Sequence, residues 1–381
     1  MKFKKVFPLV FIASILIFLS LDITGSKAKQ DSDHDSTITI SITAVGDLMC
    51  HLVEADYAKA GYDNFNFNPY FDSVRSYIES SDFAFANLET VTAGKSAGYS
   101  GYPMFNSPDQ FITAIKNAGF KLISTANNHA MDRGESGVLR TIRQLRENNL
   151  NYNGTFTSQR DRDSIRIFDI KGIRVAFLAY TFGTNGNKVP RSYLINIIDT
   201  SLIHNDIKAA RNKGAEIILV HFHFGKEYQR YPIDYQKNVV NATISYGADL
   251  IIGGHPHVIE PVFYYKSDDP KLDSGFAAYS LGNFLSNQRW RYSDAGVILT
   301  IKIEKKIPEN KFYISSVEYT PTWVFKGKIG NKNTFEILPA KLAFDKKYPE
   351  YLTNKDLGKM RQAFEDTQFI LTRYTKRLIS Y

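Results

Sequence analysis

From Thr37 onward, apolar and polar residues alternate. Ile38, Ile40, Ile42 and Ala44 fall on one face of an extended segment, and Thr37, Thr39, Ser41 and Thr43 on the other. A period of two predicts a strand, and this one ends in Gly46-Asp47. The pattern then recurs. Asp82 to Ala86 runs into Asn87-Leu88-Glu89, and Lys121 to Ala126 into Asn127-Asn128-His129. Glu216 to Val220 runs into His221-Phe222-His223-Phe224-Gly225, and Ala248 to Ile252 into Gly253-Gly254-His255-Pro256-His257. A sixth ending of this type is Ser280-Leu281-Gly282-Asn283.

Between these runs the spacing predicts helices. One covers 107–118, with Ser107 as cap and Pro108 as first residue. Another covers 137–148, with Val138, Leu139, Ile142 and Leu145 apolar, and two more cover 201–212 and 234–245. Ile165 to Tyr180 reads as two strands around a Lys171-Gly172 turn. Alternation of strand, polar ending and helix predicts an α/β sandwich around one or two sheets. Beyond Asn283 the pattern becomes antiparallel strands at 296–304 and 311–319 and an amphipathic helix at 355–377. No internal repeat is present, so this tail is expected to pack on the same domain and cover one sheet edge.

The chain has 381 residues, 43% hydrophobic and 23% charged, which suits a globular body with ample core. Val6 to Leu21 is an apolar run behind Lys2, Lys4 and Lys5, the pattern of a signal peptide or N-terminal anchor over residues 1–28. Sixteen residues is short for a spanning helix, which needs about 20. Residues 29–36 are polar and read as a linker. The body is therefore expected outside the cytoplasm, either membrane-anchored by this segment or secreted after its cleavage. Residues 1–28 carry four lysines against one aspartate, which lowers the formal charge from +8 to +5. With no dominant basic block, this mild excess permits a polyanionic partner without arguing for nucleic acid, and no nucleic-acid partner is expected. Cys50 is the only cysteine, so an intramolecular disulfide is excluded; it reads as a small apolar residue.

Buried carboxylates and imidazoles are costly unless paired or bound to metal, and five strands ending in them, with an amide at the end of a sixth, are hard to explain by packing. Open α/β sheets place their sites just beyond the C-terminal ends of strands. Carboxylates, imidazoles and an amide oxygen are the donors that a centre of one or two divalent ions requires, with Mn, Zn, Fe and Mg all open. Because strand side chains alternate, His221 and His223 share a face, as do His255 and His257 if their segment stays extended.

The strings Ala44-Val45-Gly46-Asp47-Leu48-Met49, Ala86-Asn87-Leu88-Glu89, Ala126 to Gly134, His223 to Tyr228, Gly253 to Val258 and Tyr279 to Phe284 together resemble the CapA family of capsule-synthesis or poly-γ-glutamate-synthesis proteins. The likeness runs from about Thr39 to Asn287. That family is similar to the calcineurin-like metallophosphoesterases. The resemblance implies a four-layer αββα sandwich over 37–300, with 301–381 as an antiparallel strand and helix extension. It implies Asp47, Glu89, Asn128, His223, His255 and His257 as metal ligands, Glu89 standing where the related enzymes have a bridging aspartate. It also implies His129 as proton donor to a leaving group.

Asn127 and Asn283 read as hydrogen-bond organisers and His221 as a supporting histidine. Arg133 and Lys226 are the candidates to receive an anionic group. One departure stands out: the related enzymes begin Asp-x-His, whereas Met49 is the residue two after Asp47, and His51 is the only nearby substitute. The expected function is that of a metal-dependent, phosphoesterase-like protein acting on an anionic capsule polymer, with membrane-bound synthase or export subunits as partners. A non-catalytic tethered subunit and a γ-glutamyl amide hydrolase or transferase are the alternatives.

Overall fold

The structure, a computed structural model, describes residues 36–267 and 269–381. The apolar run at 6–21 and most of the polar linker lie outside the described residues. The strands, in chain order, are β1 (Ser36–Leu48), β2 (Lys59–Gly61), β3 (Asn64–Phe65), β4 (Phe83–Leu88), β5 (Leu122–Ser124) and β6 (Asn151–Asn153). They continue with β7 (Arg166–Ile170), β8 (Ile173–Thr181), β9 (Ile217–His223), β10 (Leu250–Gly254), β11 (Val262–Lys266) and β12 (Ser274–Ala278). The last are β13 (Asn283–Leu285), β14 (Ala295–Ile307), β15 (Lys311–Ile329), β16 (Lys332–Pro339) and β17 (Leu378–Ser380). The α-helices are α1 (Leu52–Ala58), α2 (Arg75–Glu79), α3 (Gln110–Asn117), α4 (Gly134–Glu147), α5 (Gln159–Asp163), α6 (Thr200–Asn212), α7 (Asp234–Ser245) and α8 (Asn354–Leu371).

Two sheets hold the fold together. The first has the order β16-β15-β14-β1-β4-β5-β6, with β13 on the end of β1 and β17 beside β15. The second has the order β11-β12-β10-β9-β8-β7. In the first, β1, β4, β5 and β6 are parallel and β14 to β16 antiparallel. In the second, β8, β9, β10 and β12 are parallel, and β7 and β11 close the edges in antiparallel sense.

The sheets pack face to face. Ile40, Ile42, Ala44 and Phe85 of the first meet Val175, Phe177, Leu219 and Leu250 of the second in one buried layer. Phe85 and Phe177 meet edge to face with centroids 4.9 Å apart; truncating either to alanine would cost about 3–5 kcal/mol. Outside the first sheet, Ile112 and Ile115 of α3 and Val138 and Ile142 of α4 cover Ala84 and Ile123. Outside the second, Ile203 and Ile207 of α6 and Val239 and Val240 of α7 cover Ile218 and Ile251. Helix, sheet, sheet, helix is thus the layer order, a four-layer αββα sandwich.

The tail departs in detail from its sequence reading. Residue 300 lies within β14, which pairs with β1 along Ser36 to Val45, so residues beyond 300 supply strands of the first sheet itself. β15 runs on through Pro321 to Ile329 rather than ending at Tyr319. On its side away from β14 it pairs with β17 over Val317–Tyr319 and with β16 from Thr322 onward. Pro321 falls in the gap between these partners, where a missing N–H costs no ladder bond. The terminal helix stops at Leu371, and β17 follows.

Candidate metal centre

The strand ends converge on the seam between the sheets. On β1, the register against β4 passes from Ala44↔Phe85 to Asp47↔Asn87, one extra residue on β1. Such a bulge bends a strand and re-aims the side chain after it. At the same point β1 exchanges its β14 neighbour for β13, and Asp47 N donates to Gly282 O at 2.9 Å. Gly282 backbone atoms crowd the place where a Cβ on Gly46 would sit, so only glycine permits this approach. Asp47 is fully buried.

The polar groups around it come from the ends of β4, β5, β9 and β10 and the start of β13. Asn87 Nδ2 donates to Asp47 Oδ1 at 2.7 Å and lies 3.0 Å from His223 Nδ1. His255 N donates to Asp47 Oδ2 at 3.0 Å. His223 Nε2 is 2.7 Å from Asn128 Oδ1 and 3.4 Å from Glu89 Oε1. His257 Nδ1 is 3.1 Å from Asn283 Oδ1, 3.8 Å from Asp47 Oδ2 and 3.9 Å from Glu89 Oε2. Two donor triplets result, Glu89 with His223 and His255, and Asp47 with Glu89 and His257, the atoms of each within 4.8 Å of one another. Glu89 belongs to both.

These residues fit a pair of divalent cations. Both Glu89 oxygens and His255 Nδ1 are buried without a hydrogen-bond partner, which is costly unless a cation completes them. Burial pushes the Glu89 carboxyl up to about 8, with Glu227 adding to the rise and His129 opposing it. Burial, then the Glu89 charge, raises Asp47 well above the carboxylate range. Burial holds His223, His255 and His257 far below the ordinary imidazole value, and neighbouring imidazoles push the same way. Neutral imidazoles are the ligand form, and carboxyls that surrender protons when a cation enters are what linkage requires.

His255 and His257 do not lie in an extended segment. Their φ values are 97° and 58°, so the backbone turns at each through the left-handed region, which is sparsely populated for residues with a Cβ. The turn, and not strand alternation, brings both rings to the seam, 6.0 Å apart. Gly254 makes room for it, since a Cβ there would stand 2.5 Å from Asp47 Oδ1.

His129 lies beside this cluster, its Nδ1 2.7 Å from Asp132 Oδ2. Burial works to lower its pKa, but the Asp132 hydrogen bond and the Glu89 charge outweigh that and raise it. Asn127 sets the turn: Nδ2 donates to Leu88 O at 2.7 Å, and Oδ1 accepts from His129 N at 3.1 Å. His221 stays outside both triplets. Its Nδ1 pairs with Ser124 Oγ at 2.9 Å across the seam, and burial lowers its pKa to about 3. Asn283 Nδ2 donates to Gln288 Oε1 at 3.0 Å and Ser293 O at 2.9 Å, fixing the amide that faces His257.

Arg133 stands at the start of α4, where Nη2 donates to Ser100 Oγ and, at 3.0 Å, to Met104 O. His51 joins neither triplet. It precedes α1, with Nδ1 3.3 Å from Glu54 Oε2. Met49 is buried, its Sδ accepting from Ser286 Oγ at 3.6 Å, and no imidazole takes the place it holds after Asp47. Cys50 is buried as well.

Sequence reasoning assigned no role to Asn87, Asp132 or Gln288. For Asn87 the signal was present, because it lies two residues before Glu89 on a strand and therefore on the same face. Asp132, three residues after His129 in a turn, had no periodicity to reveal it.

The chain is 28% identical over 306 residues to the capsule biosynthesis protein CapA of Bacillus anthracis, covering 77% of this chain and 70% of that protein. It is 26% identical over 375 residues to the PGA biosynthesis protein CapA of Bacillus subtilis, covering 92% and 95%. Among solved structures it is similar to the calcineurin-like phosphoesterase YfkN of Bacillus subtilis, with TM-score 0.44 and 13% identity over 88% of this chain and 99% of that one. Residues 41–288 match the family described as bacterial capsule synthesis protein PGA_cap. This span runs from β1 to just beyond Asn283 and contains all the residues of both triplets. The chain belongs to that bacterial capsule synthesis family.

Proposed function

We propose that the protein is a metal-dependent, phosphoesterase-like hydrolase of the cell surface that acts on an anionic capsule polymer, with poly-γ-glutamate as the candidate because its Bacillus subtilis relative is a PGA biosynthesis protein. The observation that carries this reading is Glu89: a fully buried carboxylate common to both donor triplets, with neither oxygen hydrogen-bonded. A shared carboxylate is what two-metal hydrolytic centres use to hold their ions about 3.5–4 Å apart. When bound, the ions would activate water and neutralise charge developing on a phosphoryl or acyl oxygen.

Glu89, Asn128, His223 and His255 would hold one ion, and Asp47, Glu89 and His257 the other. Asn87 and Asn283 fix the orientation of Asp47, His223 and His257 by hydrogen bonds. Asp132 accepts from His129 Nδ1–H and favours the charged ring, leaving the separate Nε2 proton for delivery to a leaving group. The direct test is to dialyse the full-length protein against chelator, restore Mn²⁺, Zn²⁺ or Fe²⁺ singly, and assay generic phosphoesters and γ-glutamyl oligomers. Absence of bound metal by elemental analysis, together with no turnover under any ion, rejects the hydrolase. Shortening of γ-glutamyl oligomers without phosphoester turnover would make it an amide hydrolase instead.

Met49 favours a second reading, a membrane-tethered subunit that binds polymer or its synthase and export partners without turnover, because the Asp47 side of the centre has His257 as its single imidazole and Met49 stands where the related enzymes have another. Capsule complementation by an Asp47→Asn, His129→Ala double mutant separates the two: retained capsule supports the subunit, and capsule lost with the fold intact supports the hydrolase.

A further inference from the structure

Beside His129 the surface opens into a groove of roughly 520 Å³, lined by His51, Tyr99, Tyr102, Met104, Arg133 and Asn287 among others. Phe105 connects it to the metal centre. The Phe105 ring meets His51 edge-on at 5.3 Å on one side and His129 at 4.7 Å on the other. Its N–H donates to Asp132 Oδ2 at 2.7 Å, the oxygen that also holds His129. The groove therefore begins one ring away from the proton donor.

Its charge is one-sided. Arg133 is held by Ser100 and the Met104 carbonyl, both neutral acceptors, and it forms no ion pair among the described residues. On the far side of Arg133 lies a second hollow of roughly 430 Å³, which adds Ser96, Ser136, Arg140 and Arg143. Arg140 is neutralised by a two-pronged pair with Asp109 at 2.6 and 2.7 Å. Arg143 is exposed and, like Arg133, forms no ion pair among the described residues. Among the described residues, no acidic side chain lines either hollow. Apolar surface lies on the near side of Arg133, opposite Arg143: Tyr102 is 75% exposed and Leu52 48%, and both line the first groove.

We infer that this groove is the subsite for a linear polycarboxylate strand, whose carboxylates bind Arg133 and then Arg143 while its apolar backbone lies along Tyr102 and Leu52. Guanidinium groups take carboxylates in two-pronged fashion, and aromatic walls add contact area that a polyphosphate, with no apolar portion, could not use. The inference deepens the proposed function, because it places the continuation of the polymer presented at the metal centre, and it rests on that reading for the identity of the strand.

The test uses full-length protein in chelator, so that no ion contributes, and follows a fluorescent γ-glutamyl oligomer by anisotropy. Loss of one charge-assisted pair corresponds to about a tenfold change in affinity. Arg133→Gln is expected to weaken binding about tenfold, and Arg143→Gln and Tyr102→Ala to weaken it measurably, with affinity falling as salt rises. The last two alter exposed side chains, so they report even if Arg133→Gln disturbs the 99–106 loop. A polyphosphate of equal charge is expected to bind more weakly. Wild-type affinity in both Arg143→Gln and Tyr102→Ala, or polyphosphate bound as tightly as the polycarboxylate, overturns the assignment. Asp47→Asn is expected to lose metal while keeping oligomer affinity in chelator, so failure of the hydrolase reading and failure of the groove are seen separately.

Discussion

His129 and Asp132 are joined by a 2.7 Å contact between Nδ1 and a carboxylate oxygen. The Asp132 carboxylate raises the imidazole pKa against the burial that would lower it. An imidazole held this way keeps its proton to higher pH. Asp132→Asn is therefore expected to lower kcat by about ten- to a hundredfold, short of the ~10²–10⁴ expected from losing the acid altogether. Because burial then acts unopposed by that carboxylate, the basic limb of the pH–rate profile moves to lower pH. NMR titration of His129 in the variant checks the shift without relying on turnover.

Met49→His restores an imidazole two residues after Asp47. The side chain would replace a thioether that now contacts Ser286, at a fully buried position where volumes are similar. The variant is expected to bind the second ion about tenfold or more tightly, within the range that single ligand-shell changes produce. Calorimetric titration of the metal-free protein with Mn²⁺ measures it, and an unchanged isotherm would show that Met49 does not set the occupancy of the Asp47 side.

Gly254→Ala puts a methyl group 2.5 Å from Asp47 Oδ1. The carboxylate is what has to move, because the strand behind it is paired on both sides. Metal content is expected to fall toward one ion per chain while the far-ultraviolet circular dichroism stays that of the wild type. Two ions retained would mean that Asp47 is not a ligand.

Glu260 supplies a pH signature independent of the metal ligands. Burial raises its carboxyl from 4.5 to about 8, against the hydrogen bond from Gln236 Nε2 at 2.6 Å. Between these values the folded chain keeps a proton that the unfolded chain releases. Its contribution to stability is therefore full below pH 4.5, falls as pH rises and is gone above about 8. The slope approaches ~1.4 kcal/mol per pH unit. Glu260→Gln removes it, and urea titrations of metal-loaded protein across that window show the variant flatter than the wild type.

Much of this was legible from periodicity. The helix expected at 234–245 is α7, Asp234–Ser245, whose inward face carries Gln236, Val239, Val240 and Thr243 at helical spacing. Likewise Lys171-Gly172, with Lys171 at φ 51° and Gly172 at 85°, makes the turn between β7 and β8. What the sequence hid was local geometry without a period. The His255-Pro256-His257 turn needs left-handed backbone at two histidines, which no propensity favours and only the surrounding strands impose. The bulge before Asp47 is marked in the sequence by Gly46 alone, a signal that alternation of faces does not distinguish from an ordinary strand end. Asp132 and Gln288 act on the centre through one intermediary, His129 and Asn283 respectively, and such supporting groups look like ordinary polar turn residues until the chain is folded.

The two sheets contribute different chemistry to the seam. Asp47 lies in β1 and Glu89 and Asn128 come after β4 and β5, all of the first sheet, whereas His223 ends β9 and His255 and His257 come after β10, both of the second. Every oxygen donor thus sits on one slab of the sandwich and every nitrogen donor on the other. A bound cation would act as a rivet between slabs, and sliding one against the other by a fraction of an ångström would change the oxygen-to-nitrogen balance at both ion positions together. Mechanical coupling of this kind makes occupancy of the centre a gauge of how firmly the two halves of the molecule are seated.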